Sequence, residues 1–154
     1  MSDSVMAPSA KVLIVDDHDI VRHGVRSMLR SRPEWEICGE AANGQEALEL
    51  VSTLKPDIVV LDLTMPVMNG LEATVRIREL GVRCRILIFT MHESDRLYAE
   101  IRQAGADGCV QKSRASLDLV RAIDTVLSGD TFFSPHGKVA AATGEASNRS
   151  SPSN

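Results

Sequence analysis

The chain has 154 residues, 44% of them hydrophobic and 25% charged, with 10 Gly and 6 Pro; this composition suits one globular domain and excludes a wholly disordered or collagen-like chain. No apolar run approaches the roughly 20 residues that span a bilayer, and MSDSVMAPSA lacks the apolar stretch of a signal peptide, so a cytoplasmic location without membrane association is expected. The net charge of -4 removes any broad electrostatic attraction to nucleic acid.

Residues 1–10 lack the pattern of a packed element and are expected to be disordered. KVLIV (11–15) reads as the first strand, and Ile20, Val21, Val25, Met28 and Leu29 follow at helical spacing. EICGEA (36–41) is the second strand. Asn43-Gly44 then opens a helix carrying Ala47, Leu48, Val51 and Leu54. DIVVLDL (57–63) is the third strand, and Leu71, Val75 and Leu80 suggest a helix between Asn69-Gly70 and Gly81. RILIFT (85–90) leads into a helix with Leu97, Ile101 and Ala104, closed by Gly105. DGCVQK (107–112) is the fifth strand, followed by Leu117, Val120, Ile123 and Leu127. From 138 to 154 the chain loses its large aliphatics and reads as a disordered tail or linker, which leaves 11–137 as the folded domain.

Several strands are continuous apolar runs, the pattern of strands covered on both faces. Five strands alternating with five helices, joined by right-handed crossovers, give a doubly wound α/β fold with a five-stranded parallel sheet. Cys38, Cys84 and Cys109 are odd in number, widely spaced and apolar in context. They read as buried hydrophobes in a reducing compartment, and no CxxC suggests zinc.

Ligands of open parallel sheets sit at the C-terminal strand ends, beside the point where strand order reverses. The polar residues there are Asp16 and Asp17 after the first strand, Asp62 ending the third, Thr90 ending the fourth and Lys112 ending the fifth. In the order 2-1-3-4-5 the first and third strands are neighbours, so three carboxylates converge. Their mutual repulsion implies a bound cation, and hard oxygen donors favour Mg2+. Asp62, fixed at the end of an apolar strand, is the candidate nucleophile for phosphoryl transfer. Asp16 and Asp17 are placed to hold the metal. Lys112 offers a point charge and Thr90 a hydroxyl to phosphate oxygens.

The segments VLIVDDHDIVRHGV, DIVVLDLTMPVMNGLEA, ILIFTMHE and GADGCVQKS resemble the receiver domains of bacterial two-component response regulators, specifically the NarL/FixJ-type subgroup. The resemblance implies the flavodoxin-like receiver fold, Asp62 as phosphoacceptor, Asp16 and Asp17 as the acidic metal pair, Thr90 as switch hydroxyl and Lys112 as phosphoryl contact. It further implies that the backbone carbonyl of Thr64 is a metal ligand. Implied partners are a sensor histidine kinase or phosphotransfer protein, with possible homodimerisation and transcriptional control through a fused output domain. Two departures stand out. Cys109 occupies the place, three residues before Lys112, where the family usually has Tyr or Phe. No helix-turn-helix follows within these 154 residues, so no DNA binding is expected of this chain alone.

Particular residues argue against two rival readings. A phosphatase of the haloacid-dehalogenase type needs a second Asp two residues after the first, where Thr64 stands. A pseudo-receiver that binds partners without phosphorylation is opposed by the intact set of five polar residues. His18 and His92 read as exposed histidines beside the site, and the helical stripe Arg22, Arg26 and Arg30 as a solvated basic face or, by the resemblance, a kinase-docking face. Arg76, Arg78, Arg83 and Arg85 read as a second solvated cluster, and Met65, Met68 and Met91 as packing and lid residues.

Overall fold

Apolar periodicity and Asn/Gly punctuation become, in the computed structural model, β1 (Ala10–Val15), α1 (Asp19–Leu29), β2 (Trp35–Ala41), α2 (Gly44–Leu54), β3 (Ile58–Asp62), α3 (Gly70–Glu79), β4 (Arg85–Thr90), α4 (Asp95–Ala104), β5 (Gly108–Gln111) and α5 (Ala115–Leu127). A short 3-10 turn, Lys112–Arg114, joins β5 to α5. The structure describes residues 9–92 and 94–133. The expected C-terminal tail, and all but the last two residues of the expected N-terminal one, lie outside them.

The sheet is parallel throughout, in the order β2-β1-β3-β4-β5. Side chains alternate across it. Val12, Ile14, Val60, Leu87 and Phe89 face a core closed by α1 and α5, whereas Leu13, Val15, Leu61, Ile86 and Ile88 face one closed by α2, α3 and α4. Every residue of β3 is buried, which is why its sequence is an unbroken apolar run up to Asp62.

The Asn-Gly pairs act as read. Asn43 Oδ1 accepts from the Glu46 N–H at 2.9 Å, and Asn69 Oδ1 accepts from the Glu72 N–H at 2.8 Å. Ser94 caps α4 in the same way, accepting from the Leu97 N–H at 3.0 Å. Gly105 ends α4 at φ 111°, a left-handed conformation that favours glycine.

The α3 face differs from the sequence reading. Its buried side is Gly70, Ala73, Thr74 and Ile77, whereas Val75 and Leu80 are 39% and 47% exposed. The cause is close approach: the Gly70 N–H donates to the Leu63 carbonyl at 2.8 Å, drawing the helix start so near β3 that small side chains fit beneath it. Ile20 in α1 and Leu117 in α5, assigned to apolar stripes, are likewise exposed.

Arg78 does not belong to a solvated cluster. Its guanidinium donates to the carbonyls of Gly105 (2.8 Å) and Cys84 (2.6 Å) and to Asp107 Oδ2 (2.7 Å), tying α3 to the α4–β5 turn and the start of β4. The chain after α5 covers the start of the β5 edge. The Phe132 N–H donates to the Asp107 carbonyl at 3.1 Å, and the Phe132 carbonyl accepts from the Cys109 N–H at 2.7 Å.

Candidate functional site

At the C-terminal ends of β1 and β3, the two central neighbours, an apolar strand turns abruptly acidic. Asp16 is 1% exposed and Asp62 is 5% exposed, so both carboxylates have lost most of their water. Lys112, just after β5, reaches over them. Its Nζ lies 2.7 Å from Asp16 Oδ2 and 3.2 Å from Asp62 Oδ1. Asp17 lies at the more open mouth. One donor atom from each of Asp16, Asp17, Asp62 and His18 lies within 4.8 Å of the others.

Electrostatics follow from this crowding. Burial, then the Asp16 charge, push the Asp62 carboxyl above the usual carboxylate range, although Lys112 opposes them. Burial works against the Lys112 ammonium, but its hydrogen bond to Asp16 and the charge of Asp62 outweigh that and hold it above its ordinary value. Three converging carboxylates with Lys112 as the buried cation leave a local excess of negative charge. The donors are hard oxygens, so the residues present fit a hard divalent cation such as Mg2+.

Glycine makes room for this arrangement at one position. A Cβ on Gly70 would sit 2.2 Å from the Asp62 carbonyl oxygen, so no other residue lets α3 begin against the strand that carries Asp62.

Thr90 ends β4, one residue beyond Phe89, which pairs with Asp62. The Thr90 hydroxyl is buried and accepts from the His92 N–H at 3.1 Å. Thr64 lies in the loop after β3. Geometry thus brings Asp16, Asp17, Asp62 and Lys112 directly together, with Thr90 on the next strand end. Cys109 is buried, and its thiol is pushed up to about 12 by that burial. A groove of about 1000 Å³ lies elsewhere, at the N-terminal strand ends, lined by Lys55, Asp57, Arg83 and Cys84. No site carboxylate lines it.

Side chains around the site refine their sequence reading. Arg22 and Arg26 both pair with Glu40 of β2, Arg22 at 2.9 Å, so most of the expected basic face of α1 is neutralised and only Arg30 stands exposed. Met65 and Met68 are core residues, whereas Met91 is exposed. His18 is exposed beside the site, as read, but its ring turns toward the acidic pair. Its ring is 61% exposed, yet Nδ1 approaches Asp16 Oδ1 at 3.1 Å and Asp17 Oδ1 at 3.2 Å. The available signal was its place directly after the acidic pair.

Residues 12–124 match the family model described as the response regulator receiver domain. The nitrate/nitrite response regulator protein NarL of Escherichia coli K12 is 39% identical over 127 residues, covering 81% of this chain and 58% of that protein. The transcriptional regulatory protein LnrK of Bacillus subtilis is 40% identical over 125 residues, covering 81% and 57%. The chain therefore spans somewhat over half the length of these relatives. Among solved structures, a two-component response regulator of the LuxR family from Aurantimonas sp. SI85-9A1 superposes with a TM-score of 0.78 at 44% identity, covering 82% of this chain and 90% of that one. The signal receiver domain of the putative response regulator NarL from Mycobacterium tuberculosis gives 0.75 at 30% identity, covering 78% and 97%.

Proposed function

Because this chain belongs to the response-regulator receiver domain family of two-component systems, we propose that Asp62 accepts a phosphoryl group from a phosphohistidine on a sensor histidine kinase or phosphotransfer protein. The observation that carries the reading is the Lys112 ammonium set between two buried carboxylates, 2.7 Å from Asp16 and 3.2 Å from Asp62. It supports reading Asp62 as the nucleophile, Asp16 and Asp17 as the acidic cation site and Lys112 as the phosphoryl-binding charge.

In the transfer, an Asp62 carboxylate oxygen attacks phosphorus in line. The P–O bond forms as the P–N bond to the donor imidazole breaks, its electron pair returning to nitrogen. Asp16, Asp17, Asp62 and the Thr64 backbone carbonyl would hold Mg2+. An ion held there would neutralise charge on the phosphoryl oxygens. Lys112 exchanges its contact with Asp62 for a phosphoryl oxygen, keeping that charge paired in a dry pocket. The Thr90 hydroxyl donates to another oxygen, which draws the end of β4 toward Asp62. The resulting shift of β4, α4 and β5 alters partner affinity or dimerisation.

Exposed apolar side chains lie on the segments that leave the site's strand ends: Ile20 in the first turn of α1, Val67 in the β3–α3 loop, and Met91 directly after Thr90. They supply an apolar collar for the phosphodonor. Thr64 stands two residues after Asp62, where a carboxylate could accept a proton from attacking water, so hydrolysis of the acyl phosphate lacks a general base at that position. Output through DNA would require a helix-turn-helix domain joined to this one. Incubation with Mg2+ and acetyl phosphate, followed by intact mass measurement, tests the reading. One phosphoryl adduct is expected on the native chain and none on Asp62→Asn.

A further inference from the structure

We propose that His18 is an imidazole ligand of the acidic pocket, giving it a mixed oxygen and nitrogen donor set that favours first-row transition cations such as Co2+ and Ni2+. This rests on the metal reading above and names the cation class that the same pocket distinguishes. Donor atoms in adjacent positions of an octahedral shell with bonds of about 2.1 Å stand about 3.0 Å apart. His18 Nδ1 lies 3.1 Å from Asp16 Oδ1 and 3.2 Å from Asp17 Oδ1. The imidazole nitrogen is therefore one octahedral edge from each of two carboxylate oxygens.

The backbone holds it there. The His18 N–H donates to Asp16 Oδ1 at 2.9 Å, and the His18 carbonyl accepts from the N–H groups of Val21 and Arg22 as α1 begins. Lys112 engages the other oxygen of Asp16, Oδ2, so the His18 side of that carboxylate is separate from the Lys112 side. The ring is mostly in water, and the proton displaced from Nδ1 on coordination moves to Nε2 at no cost in burial.

Mg2+ gains little from a nitrogen donor, whereas affinity for imidazole-bearing sites rises from Mn2+ through Co2+ to Ni2+. His18 is thus a specificity residue for the ion. Its removal should cost the transition ions and leave Mg2+ alone.

The test is calorimetric titration of the full chain with Mg2+, Co2+ and Ni2+, together with the visible absorption band of bound Co2+. His18→Ala is expected to weaken Co2+ and Ni2+ about tenfold or more and to shift the Co2+ band, with Mg2+ affinity kept within about twofold. Unchanged Co2+ affinity and an unmoved band would overturn the proposal. So would an equal loss for Mg2+ and Co2+, since His18 would then only orient the carboxylates. Asp17→Asn is the control: it should weaken all three ions. If it weakens none, the carboxylate pocket itself is misassigned and the His18 proposal falls with it.

Discussion

Lys112 sits closer to Asp16 than to Asp62, at 2.7 Å against 3.2 Å, so the lysine that the proposed chemistry turns toward a phosphoryl group first serves as counterion to the neighbouring acid. Removing one partner of a buried ion pair costs about 3–5 kcal/mol. Because the pocket opens at Asp17 and water screens part of the pair, Lys112→Ala should cost less than that, about 2–3 kcal/mol by urea denaturation in EDTA. Millimolar Mg2+ should recover part of that loss by replacing the missing charge. A loss that Mg2+ leaves untouched would place the Lys112 contribution in packing.

Asp62 gives a pH-dependent counterpart. Its carboxyl is raised in the folded chain, chiefly by burial and then by Asp16. The folded state therefore holds a proton on Asp62 more readily than the unfolded state does, and the corresponding stability is present in acid and lost as pH rises through the raised carboxyl range. Asp62→Asn, which cannot ionise, should melt above the native protein in EDTA at neutral pH. The difference should narrow steadily as pH falls through the carboxylate range, as thermal scans across that range would show.

Much of this was readable in the residues. Continuous apolar runs at β1, β3 and β4 marked strands covered on both faces, and Asp16, Asp62, Thr90 and Lys112 could be placed at strand ends because β-branched runs stop there. The buried face of α3 was not readable. It consists of Gly70, Ala73 and Thr74 as well as Ile77, and small residues carry little hydrophobic signal even where they allow the closest approach. Nor was the role of Arg78, whose partners Cys84, Gly105 and Asp107 are distant in sequence and include two backbone carbonyls. His18 was legible as a neighbour of the site, but the turn of its ring toward the acidic pair was not, since ring direction depends on how the backbone enters α1.

Arg78 should therefore behave as a structural residue. Hydrogen bonds to a charged group contribute about 1.5–3 kcal/mol each, but the three here share one partly buried side chain and do not add fully. Arg78→Met, which keeps much of the stem, is expected to cost about 2–4 kcal/mol in denaturant midpoint experiments. A change within about 0.5 kcal/mol, the range of ordinary surface substitutions, would return Arg78 to the solvated class.

The three free cysteines should differ in reactivity. Burial raises the Cys84 and Cys109 thiols to about 12 each. At pH 8 each is then a thiolate in only about one molecule in 10,000, and the thiolate is the reacting form. Cys38 is only partly buried, with its thiol raised by burial to a smaller extent. Brief native treatment with iodoacetamide should give at most one adduct, at Cys38, and three after unfolding. Early labelling of Cys109 would show that β5 opens at the position next to the proposed switch.

The most direct test of phosphoacceptance is chemical localisation. After incubation with Mg2+ and acetyl phosphate, borohydride should reduce an acyl phosphate to the alcohol, leaving a permanent mark on the residue that carried it. Peptide mass spectrometry is expected to find that mark on the peptide spanning β3, at residue 62, with none at Asp16 or Asp17. A mark at another carboxylate, or a phosphorylated chain with no borohydride-reducible group, would contradict the account.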